Sequence, residues 1–425
     1  MGTLIVMKIL VNGLKYWGQL ILLPLYWLSY LVPRDNNIWL FGSTFGRRFA
    51  DNPRYMYLYV SQHKEEFGIR PIWISHDEKI VKFLNKNGYE AYMYHSLKGI
   101  WYALRGKVYL FDNYSKDINF WQSAGSLKIN MWHGIPLKKI QADNIFDKFR
   151  HPKNLFEKFK NFPRNISDEK PSHYVLTTSE NLKTIFSSAF RTKNVFTSGY
   201  PRTDYLISKC IDNIFLKKEK TEFDFVQNFK EIHGDSATVI YYMPTFRDSE
   251  INFFDIMDLD ELQKFLSEYK ILFCVKLHPK SKLKKEFLNI KKKKFKNIFV
   301  VDADSDPYVL LKITDVLVTD YSSIYFDFLL VDKPIIFFDY DKEEYIKKSR
   351  ELYFDYEDMT PGKKVKNMKE LMEAVKSYIK YRKNDFENVI DEYSTDRERV
   401  RNLVFDEPDK IAVKGFINEI KNILQ

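Results

Sequence analysis

Residues 316–328 read VLVTDYSSIYFDF, and this stretch decides the fold class. The apolar run over 316–318 predicts a buried strand, and the apolar residues from 324 onward recur with helical spacing. A strand that leads directly into a helix is typical of a parallel sheet with crossover helices. The same alternation extends along the chain in two series of predicted strands: 38–41, 71–74, 108–111, 129–132, 174–176 and 195–197, then 239–243, 272–275, 298–301, 316–318 and 335–338.

Two series of strands predict an α/β protein with two Rossmann-like, doubly wound domains that face each other across a cleft. We place the domains at 34–207 and 236–380, joined by a polar, lysine-rich linker over 208–235. A membrane-associated helix over 1–33 precedes them, and a helical tail over 381–425 follows. Ligands of such sheets bind beyond the carboxyl ends of the strands, so functional side chains are expected directly after the strands.

The N-terminal segment is uncharged from residue 16 to residue 33 and is rich in Leu, Tyr and Trp. A spanning helix needs about 20 apolar residues, but Gln19, Pro24 and Ser29 interrupt the stretch. We therefore favour a helix that lies in the membrane interface, or packs on a domain, over one that crosses the membrane. Helical spacing predicts an apolar side with Leu14, Trp17, Ile21, Leu25, Leu28 and Val32, and a more polar side with Lys15, Gln19, Tyr26 and Ser29.

The composition limits the kind of partner. The 425 residues carry a formal net charge of +10, which favours an anionic membrane surface or a phosphate-rich substrate. Nucleic acid is not expected, because zinc-finger, RNP and basic-zipper patterns are missing. Two cysteines give no disulfide framework, in keeping with a reducing compartment. The lysines between 276 and 296 form either a solvated surface or a contact for anionic lipid or polymer.

Several common signatures are absent from the sequence. It has no P-loop, no GxGxxG and no Gly-x-Ser-x-Gly elbow, so ATP, NAD and serine-hydrolase chemistry are not indicated. Asp302, Asp304 and Asp306 alternate as ion ligands do, but the glycine and the distal glutamate of a calcium loop are missing. We interpret them as a solvated turn and predict no metal site.

Two motifs follow strands of the first series. Trp-His-Gly at 132–134 puts His133 at a strand end, and Gly134 allows a close backbone approach. An imidazole titrates near neutral pH and suits a general base. Gly-Tyr-Pro-Arg at 199–202 is a turn whose Arg202 is a fork-shaped phosphate donor. Alone, the histidine motif is equally compatible with a structural role, and the Gly-Tyr-Pro-Arg turn favours a structural role.

Two further motifs follow strands of the second series. Pro-Thr-Phe-Arg-Asp at 244–248 brings Thr245 and Arg247 to a strand end, where Arg247 is placed to clamp a diphosphate. Lys-Leu-His-Pro at 276–279 adds Lys276 and His278, which are placed to neutralise charge on a leaving phosphate. The alternative for Arg247 is a structural role, in which it forms a surface ion pair with the neighbouring aspartate.

The stretch quoted first carries the strongest candidate site. Thr319 and Asp320 end the strand, and Ser322 or Ser323 is expected to cap the helix that follows. The free N–H groups and the dipole of a helix start attract an anion. Asp327, about one turn into the helix, is expected to face the cleft and bind ribose hydroxyls. Such a cleft suits an anionic donor with a diphosphate.

The ordered motifs resemble the CDP-glycerol glycerophosphotransferase family, which comprises teichoic-acid primases and polymerases with relatives in capsule synthesis. The resemblance covers about 33–362 and rests on PRDNNIWLFGS, WHGIPLKK, SGYPRTDYL, YMPTFRD, KLHP, VTDYSSIYFDF, KPIIFFDYD and YFDYEDMTPG. It implies a GT-B-like fold and monotopic attachment to the cytoplasmic face of the cell membrane. It also implies a CDP-glycerol or CDP-ribitol donor, a lipid-linked or polymeric glycan acceptor, release of CMP, and no permanent cofactor.

The resemblance also implies roles for individual residues. His133 matches the histidine taken as the base that activates the acceptor hydroxyl, and His278 matches one placed near the donor diphosphate. Further matches to donor-binding positions are Arg247, Ser322, Ser323 and Asp327. The first domain would then receive the acceptor and the second the donor. Ile135 and Lys276 stand where the family often has Thr and Arg, which bears on substrate preference.

Two alternatives remain at this stage. A glycosyltransferase of the same architecture would use a nucleotide sugar and release a nucleoside diphosphate. A membrane-docked binding module would release no nucleotide product at all. Histidines at strand ends in both predicted domains favour an enzyme over the binding module.

Overall fold

The structure, a computed structural model, describes residues 13, 16–168, 171–209, 211, 214–246, 256–278, 281, 295–343, 345, 351–383 and 391–425, without the side chains of 380–383. Its strands are β1 Asp35–Phe41, β2 Arg70–Ser75, β3 Ala91–Met93, β4 Gly106–Phe111, β5 Leu127–Asn130, β6 Tyr174–Thr177, β7 Val195–Thr197, β8 Thr238–Tyr242, β9 Ile271–Val275, β10 Ile298–Val300, β11 Val316–Thr319, β12 Ile335–Phe338 and β13 Lys363–Val365.

The strands form two parallel sheets, which confirms the predicted α/β class with one sheet in each half. The first sheet has the order β3-β2-β1-β4-β5-β6-β7, and the second has the order β10-β9-β8-β11-β12-β13. Central strands such as β8 and β9 are buried along their whole length. Continuous apolar strands of this kind are expected where helices cover both faces of a sheet.

Helices connect the strands and complete both halves. They are α1 Leu23–Leu28, α2 Asp51–Gln62, α3 Lys64–Phe67, α4 Glu78–Lys86, α5 Leu97–Arg105, α6 Leu155–Asp168, α7 Lys183–Phe190, α8 Pro201–Ile207, α9 Lys217–His233, α10 Leu259–Glu268, α11 Tyr308–Leu311, α12 Ile324–Phe328, α13 Tyr356–Met359, α14 Met368–Lys383, α15 Ser394–Val404 and α16 Val413–Leu424. Helix α9 lies within the stretch predicted as a linker.

The strand before the histidine motif is shorter than predicted, because it ends at Asn130. The Asn130 side chain accepts a hydrogen bond from the Trp132 N–H at 2.8 Å and donates one to the Asn113 carbonyl at 2.9 Å. Trp132 itself has φ 51°, a left-handed conformation that no strand contains. The short strands β3 and β13, each at an edge of its sheet, were not predicted.

Buried charges join the two halves. The Arg54 guanidinium of α2 pairs with Glu219 of α9 at 3.0 Å and with Asp306 of the second half at 3.8 Å, and all three side chains are inaccessible to solvent. Breaking a buried pair by removing one partner costs about 3–5 kcal/mol. These contacts therefore fix the first half against α9 and the second half.

The C-terminal helices pack back on the first half. The Asp204 carboxylate accepts hydrogen bonds from the N–H groups of Ala412 and Val413 at 3.0 and 2.8 Å, where α16 begins. The Thr178 hydroxyl donates to the Val404 carbonyl at the end of α15. The tail predicted over 381–425 thus crosses from the second sheet to the first.

The N-terminal segment presents its apolar side outward. Residues 1–12 and 14–15 lie outside the described residues, and short helical turns including α1 cover 19–31. Tyr26 stacks on Phe120 at 4.8 Å, and the Ser29 hydroxyl accepts from the Ala124 N–H. Ile21 is 80% exposed. The predicted polar side therefore packs on the protein. In the part of the chain that the structure covers, no helix is long and apolar enough to cross a membrane.

Candidate active site

The His133 ring has a defined orientation. It stacks on Trp132 with 3.8 Å between ring centroids, and its Nδ1 lies 3.1 Å from the Asp112 carbonyl oxygen. A carbonyl can only accept, so Nδ1 carries the proton in this contact, and Nε2 keeps a lone pair. The side chain is exposed to solvent. A neutral imidazole held in this tautomer can take a proton from a hydroxyl.

A buried pair of carboxylates supports this histidine. Asp112 follows β4 and accepts hydrogen bonds from the Ser43 hydroxyl at 2.7 Å and the Thr44 N–H at 2.8 Å. Asp117 accepts from the Phe45 and Asn113 N–H groups. Burial, together with the charge of Asp112, raises the pKa of the Asp117 carboxyl well above its ordinary value. These hydrogen bonds hold the backbone beneath His133 in place.

The histidine loop contacts the helix start of the second half. A Cβ atom built on Gly134 would lie 2.8 Å from the Ser323 hydroxyl, closer than side chains tolerate. Ser323 occupies the residue before α12, but its side chain makes no capping hydrogen bond. The predicted cap is therefore absent, and the hydroxyl lies against Gly134 instead. Glycine leaves room for this close approach, and a side chain here would push the Ser323 hydroxyl aside.

A crevice between the halves contains the second histidine. Its volume is about 170 Å³, and the first half lines it with Thr44, Arg48 and Asp51, while the second half adds residues including His278 and Ser322. The His278 ring lies 5.6 Å from the Phe246 ring. Ser322 directly precedes the serine that lies against Gly134, so the crevice and the His133 loop both adjoin the start of α12. His133 itself is not among the residues that line the crevice.

Arg202 and Asp327 are paired with each other and do not face the crevice as free groups. The guanidinium lies 2.7 Å from the Asp327 carboxylate and 2.7 Å from Asp51. Tyr308 also donates a hydrogen bond to Asp327. Arg202 is 2% exposed and Asp327 is fully buried. The structure thus replaces the expected phosphate and ribose contacts with an ion pair across the two halves.

Thr319 and Asp320 support the site from behind and are also buried. The Thr319 hydroxyl donates to the Met243 carbonyl at 2.8 Å, and Asp320 accepts from both the N–H and the hydroxyl of Thr245. In place of the predicted direct contact with substrate, these residues fix the turn after β8. The hydroxyl of Thr245 is engaged in the same way.

Lys276 likewise has a supporting position. Its ammonium donates to the carbonyls of Asp302 and Ala303 at 2.7 and 2.9 Å. Burial, and then the nearby Arg48 charge, lower the pKa of Lys276 to about 7. A full positive charge at this position is thus not assured at neutral pH, contrary to the predicted role in neutralising a phosphate. The contacts hold the 302–303 turn against β9.

Two predictions fall outside the described residues. Arg247 is one of them, and most of the lysine run between 276 and 296 is the other. Within the described ranges, no group of three or more His, Cys, Asp or Glu side chains is arranged to hold a metal ion. The Asp302 carboxylate accepts from Lys218 at 3.1 Å and from the Asp304 N–H at 2.8 Å.

Three residues of the site were missed in the sequence. Asp112 stands directly after β4, so the rule that found the other motifs could have found it. Asp51 begins α2 with φ 62°, and such a left-handed non-glycine residue is invisible to periodicity. Tyr308 is brought to Asp327 only by the tertiary fold.

Comparison with known proteins identifies the family. A family model described as CDP-Glycerol:Poly(glycerophosphate) glycerophosphotransferase matches residues 25–414. The chain is 30% identical to a teichoic acid poly(glycerol phosphate) polymerase of Bacillus spizizenii, over 84% of this chain and 87% of the relative. It is 28% identical to a teichoic acid glycerol-phosphate transferase of Staphylococcus aureus, over 81% of this chain and 84% of that relative. The family predicted from the motifs is confirmed.

A solved structure supports the fold. A structure of the wall teichoic acid polymerase TagF covers 98% of this chain and 97% of its own, with a TM-score of 0.70 and 22% identity. At this identity the likeness concerns the fold alone.

Proposed function

This chain belongs to the CDP-glycerol:poly(glycerophosphate) glycerophosphotransferase family, and we propose that it transfers glycerol phosphate from CDP-glycerol to a hydroxyl of a teichoic acid chain. The transfer is a displacement at phosphorus. A bond forms between the acceptor oxygen and the polyol-bearing phosphorus, and the bond from that phosphorus to CMP breaks. The hydroxyl proton goes to His133, and the bonding electrons leave with CMP.

The contact between Gly134 and Ser323 is the observation that carries this proposal. It brings the loop of the candidate base against the helix start of the other half. An acceptor activated by His133 and a donor held beside Ser322, Ser323 and His278 would then share one opening. Phosphoryl transfer depends mainly on such positioning and on stabilising the charge that develops.

His133 is assigned as the base because its Nδ1 faces a carbonyl and its Nε2 keeps a lone pair. His278 is assigned to the leaving phosphate, since it lines the crevice with Ser322. Arg247, predicted at the end of β8, is retained as a candidate diphosphate ligand. Arg202 and Asp327 are assigned to holding the halves together.

A GT-B-like layout follows from this assignment. Two parallel sheets with the reactive groups at strand ends support a layout in which acceptor and donor bind on opposite sides of the crevice. We assign 34–207 to the acceptor, 236–380 to the CDP-linked donor, 208–235 to the connection, and 381–425 to the tail.

Attachment to the cytoplasmic face of the membrane is the second part of the proposal. Helix α6 exposes Leu155, Phe156, Phe159 and Phe162, and Leu155 is 83% exposed. Trp17 of the N-terminal segment packs on Phe159 at 4.8 Å, so this helix and the exposed residues of 16–31 form one apolar surface, here called the lipid-facing surface. Lysines 158 and 160 flank it. Basic residues beside an exposed apolar face suit an anionic membrane and an acceptor with a lipid end.

A donor panel tests the proposed reaction. The protein is incubated with an oligo(glycerol phosphate) acceptor and, in turn, with CDP-glycerol, CDP-ribitol and a nucleotide sugar. We expect CMP from CDP-glycerol and lengthening of the acceptor by glycerol phosphate in mass spectra. Release of a nucleoside diphosphate from the sugar donor would instead identify a glycosyltransferase. No nucleotide product with any donor would favour a binding module.

A further inference from the structure

A second polar cavity lies beside the strand end that leads into the His133 loop. Residues beyond the ends of β4 and β5 line it, with side chains of Tyr114, Gln141, Arg150 and Arg191 among them. Arg150 donates to the Tyr114 hydroxyl at 2.9 Å and to the Gln141 side chain, while its other nitrogen pairs with Asp147. The cavity is thus a built set of hydrogen-bonding groups with a partly buried guanidinium at its wall.

Arg191 has a conformation that its residue type disfavours. It follows the last residue of α7 with φ 52° and ψ 42°, the left-handed position where helices usually have glycine. An arginine costs conformational free energy there, because a residue with a side chain is strained in this region. No hydrogen bond or ion pair to another described residue engages its exposed guanidinium. The position therefore presents a free cation at the mouth of the cavity.

The cavity is close to the candidate base. The Phe190 ring packs on Trp132 at 4.8 Å, and Trp132 stacks on His133 at 3.8 Å. Arg191 directly follows Phe190 in sequence, and the Phe190 ring reaches the His133 imidazole through the Trp132 ring. Gln141 lies on the same wall and is also left-handed, with φ 49°. Left-handed side-chain residues tend to cluster at functional sites.

The charge around the cavity is positive in balance. Asp168 lines it and pairs with Lys116 and with Arg164, which is 2.9 Å away. Asp147 pairs with Arg150, and Asp143, on the neighbouring turn, accepts from the hydroxyls of Ser188 and Tyr353. The four cations Lys116, Arg150, Arg164 and Arg191 therefore stand against the three carboxylates Asp143, Asp147 and Asp168. An anion is the ligand that this balance favours.

We propose that this cavity binds a phosphate group of the acceptor, with Arg191 as its principal ligand. The inference rests on the proposed function, since it names where the anionic acceptor of that reaction is held. Asp168 at the cavity is the last residue of α6, the helix of the lipid-facing surface. An acceptor anchored in a membrane would pass its phosphate through the cavity and bring its terminal hydroxyl to His133.

Arg191→Gln tests the proposal, with Lys193→Gln as the matched control. Lys193 is exposed two residues away and does not line the cavity. CMP release is measured with three acceptors: a glycerol phosphate trimer, the same trimer with an alkyl tail, and an uncharged alkyl glycerol ether. Arg191→Gln is expected to raise the KM of both trimers about tenfold, the scale of one charged hydrogen bond. The kcat, the KM of CDP-glycerol and the KM of the ether should not change.

The outcomes separate this inference from the proposed function. An unchanged KM for the trimers, or an equal rise in Lys193→Gln, would overturn the phosphate site. A rise for the tailed trimer alone would assign the contact to a lipid and would overturn it too. Direct binding of the trimer, measured by calorimetry without donor, decides the inference even when no CMP forms. Absence of CMP from the unmodified protein would reject the proposed reaction alone.

Discussion

The ion pair between Arg202 and Asp327 is expected to hold the two halves closed. Arg202→Met removes the cation from a fully buried carboxylate, leaving Asp327 with Tyr308 as its donor. Removing one partner of a buried pair costs about 3–5 kcal/mol. Asp327→Asn should cost about 2 kcal/mol, the loss of one charged hydrogen bond, because Arg202 keeps Asp51 at 2.7 Å.

Urea unfolding at pH 7 provides the measurement, with the slope of the transition checked for two-state behaviour. The double variant Arg202→Met/Asp327→Leu should lose less than the sum of the single losses, because no charge is left unpaired. Burial already raises the pKa of Asp327 above its ordinary value. Without Arg202 it should rise further, so the deficit of Arg202→Met should shrink as the pH falls and the carboxyl is protonated.

The relative losses in the free energy of unfolding of the two single variants test the buried ion pair. A loss below about 1 kcal/mol in Arg202→Met would place this pair with exposed salt bridges and contradict the buried, inter-half role. A larger loss in Asp327→Asn than in Arg202→Met would show that Asp51 does not compensate. Additive losses in the double variant would show that Arg202 and Asp327 are not energetically coupled.

Three further predictions concern other parts of the molecule. Gly134→Ala should raise the KM of CDP-glycerol by displacing the Ser323 hydroxyl. In the double variant Gly134→Ala/Ser323→Ala, the effects of the two substitutions should be non-additive, and additive effects in steady-state kinetics would contradict the contact. Burial raises the pKa of Asp204 from 3.8 to about 7, so the folded state binds the extra proton and the free energy of unfolding falls as the pH rises from 4 to 7. At about 1.4 kcal/mol per pH unit, this carboxyl accounts for about 4 kcal/mol, and urea titrations of Asp204→Asn should lack that part of the slope; an unchanged slope would refute it. Phe156→Ser with Phe159→Ser should reduce sedimentation with anionic vesicles at least tenfold while leaving turnover on a water-soluble acceptor unchanged, and equal sedimentation would exclude the lipid-facing surface.

The sequence allowed most of the fold to be predicted, because buried parallel strands give continuous apolar runs. The strands over 195–197 and 335–338 were predicted with their observed bounds, and the others differ by up to three residues. The failures have physical causes. Asn130 ends β5 early through its side chain. Strand β13 reads Lys-Lys-Val and so lacks the apolar run by which the other strands were recognised.

The candidate site was predictable to the extent that strand ends could be located. That rule found His278 and Ser322, which line the crevice between the halves, and His133, whose loop lies against Ser323. It could not reveal that Arg202 and Asp327 pair with each other, because the two lie far apart in sequence and meet only through the packing of the halves. The sequence separation of Arg202 and Asp327 does not indicate this contact. Burial gives each side chain a structural role in place of the predicted ligand contact.

The N-terminal segment was predicted as one helix with an apolar and a polar side, and the direction of each side was left open. Helical spacing separates an apolar from a polar side, yet it does not tell which one the rest of the protein covers. The structure packs Tyr26 and Ser29 inward and leaves Ile21 exposed. Hydrogen bonding of Ser29 and ring stacking of Tyr26 outweigh the simple expectation that apolar residues turn inward.

His133→Ala tests most directly whether this imidazole is the base that activates the acceptor. Turnover with saturating CDP-glycerol and acceptor is measured by CMP release, and the Kd of CDP-glycerol is measured on the same preparation. We predict a fall in kcat of at least about 100-fold, as for loss of a general base, with a Kd changed less than about threefold. A variant that binds CDP-glycerol weakly but turns over normally at saturation would contradict the assignment.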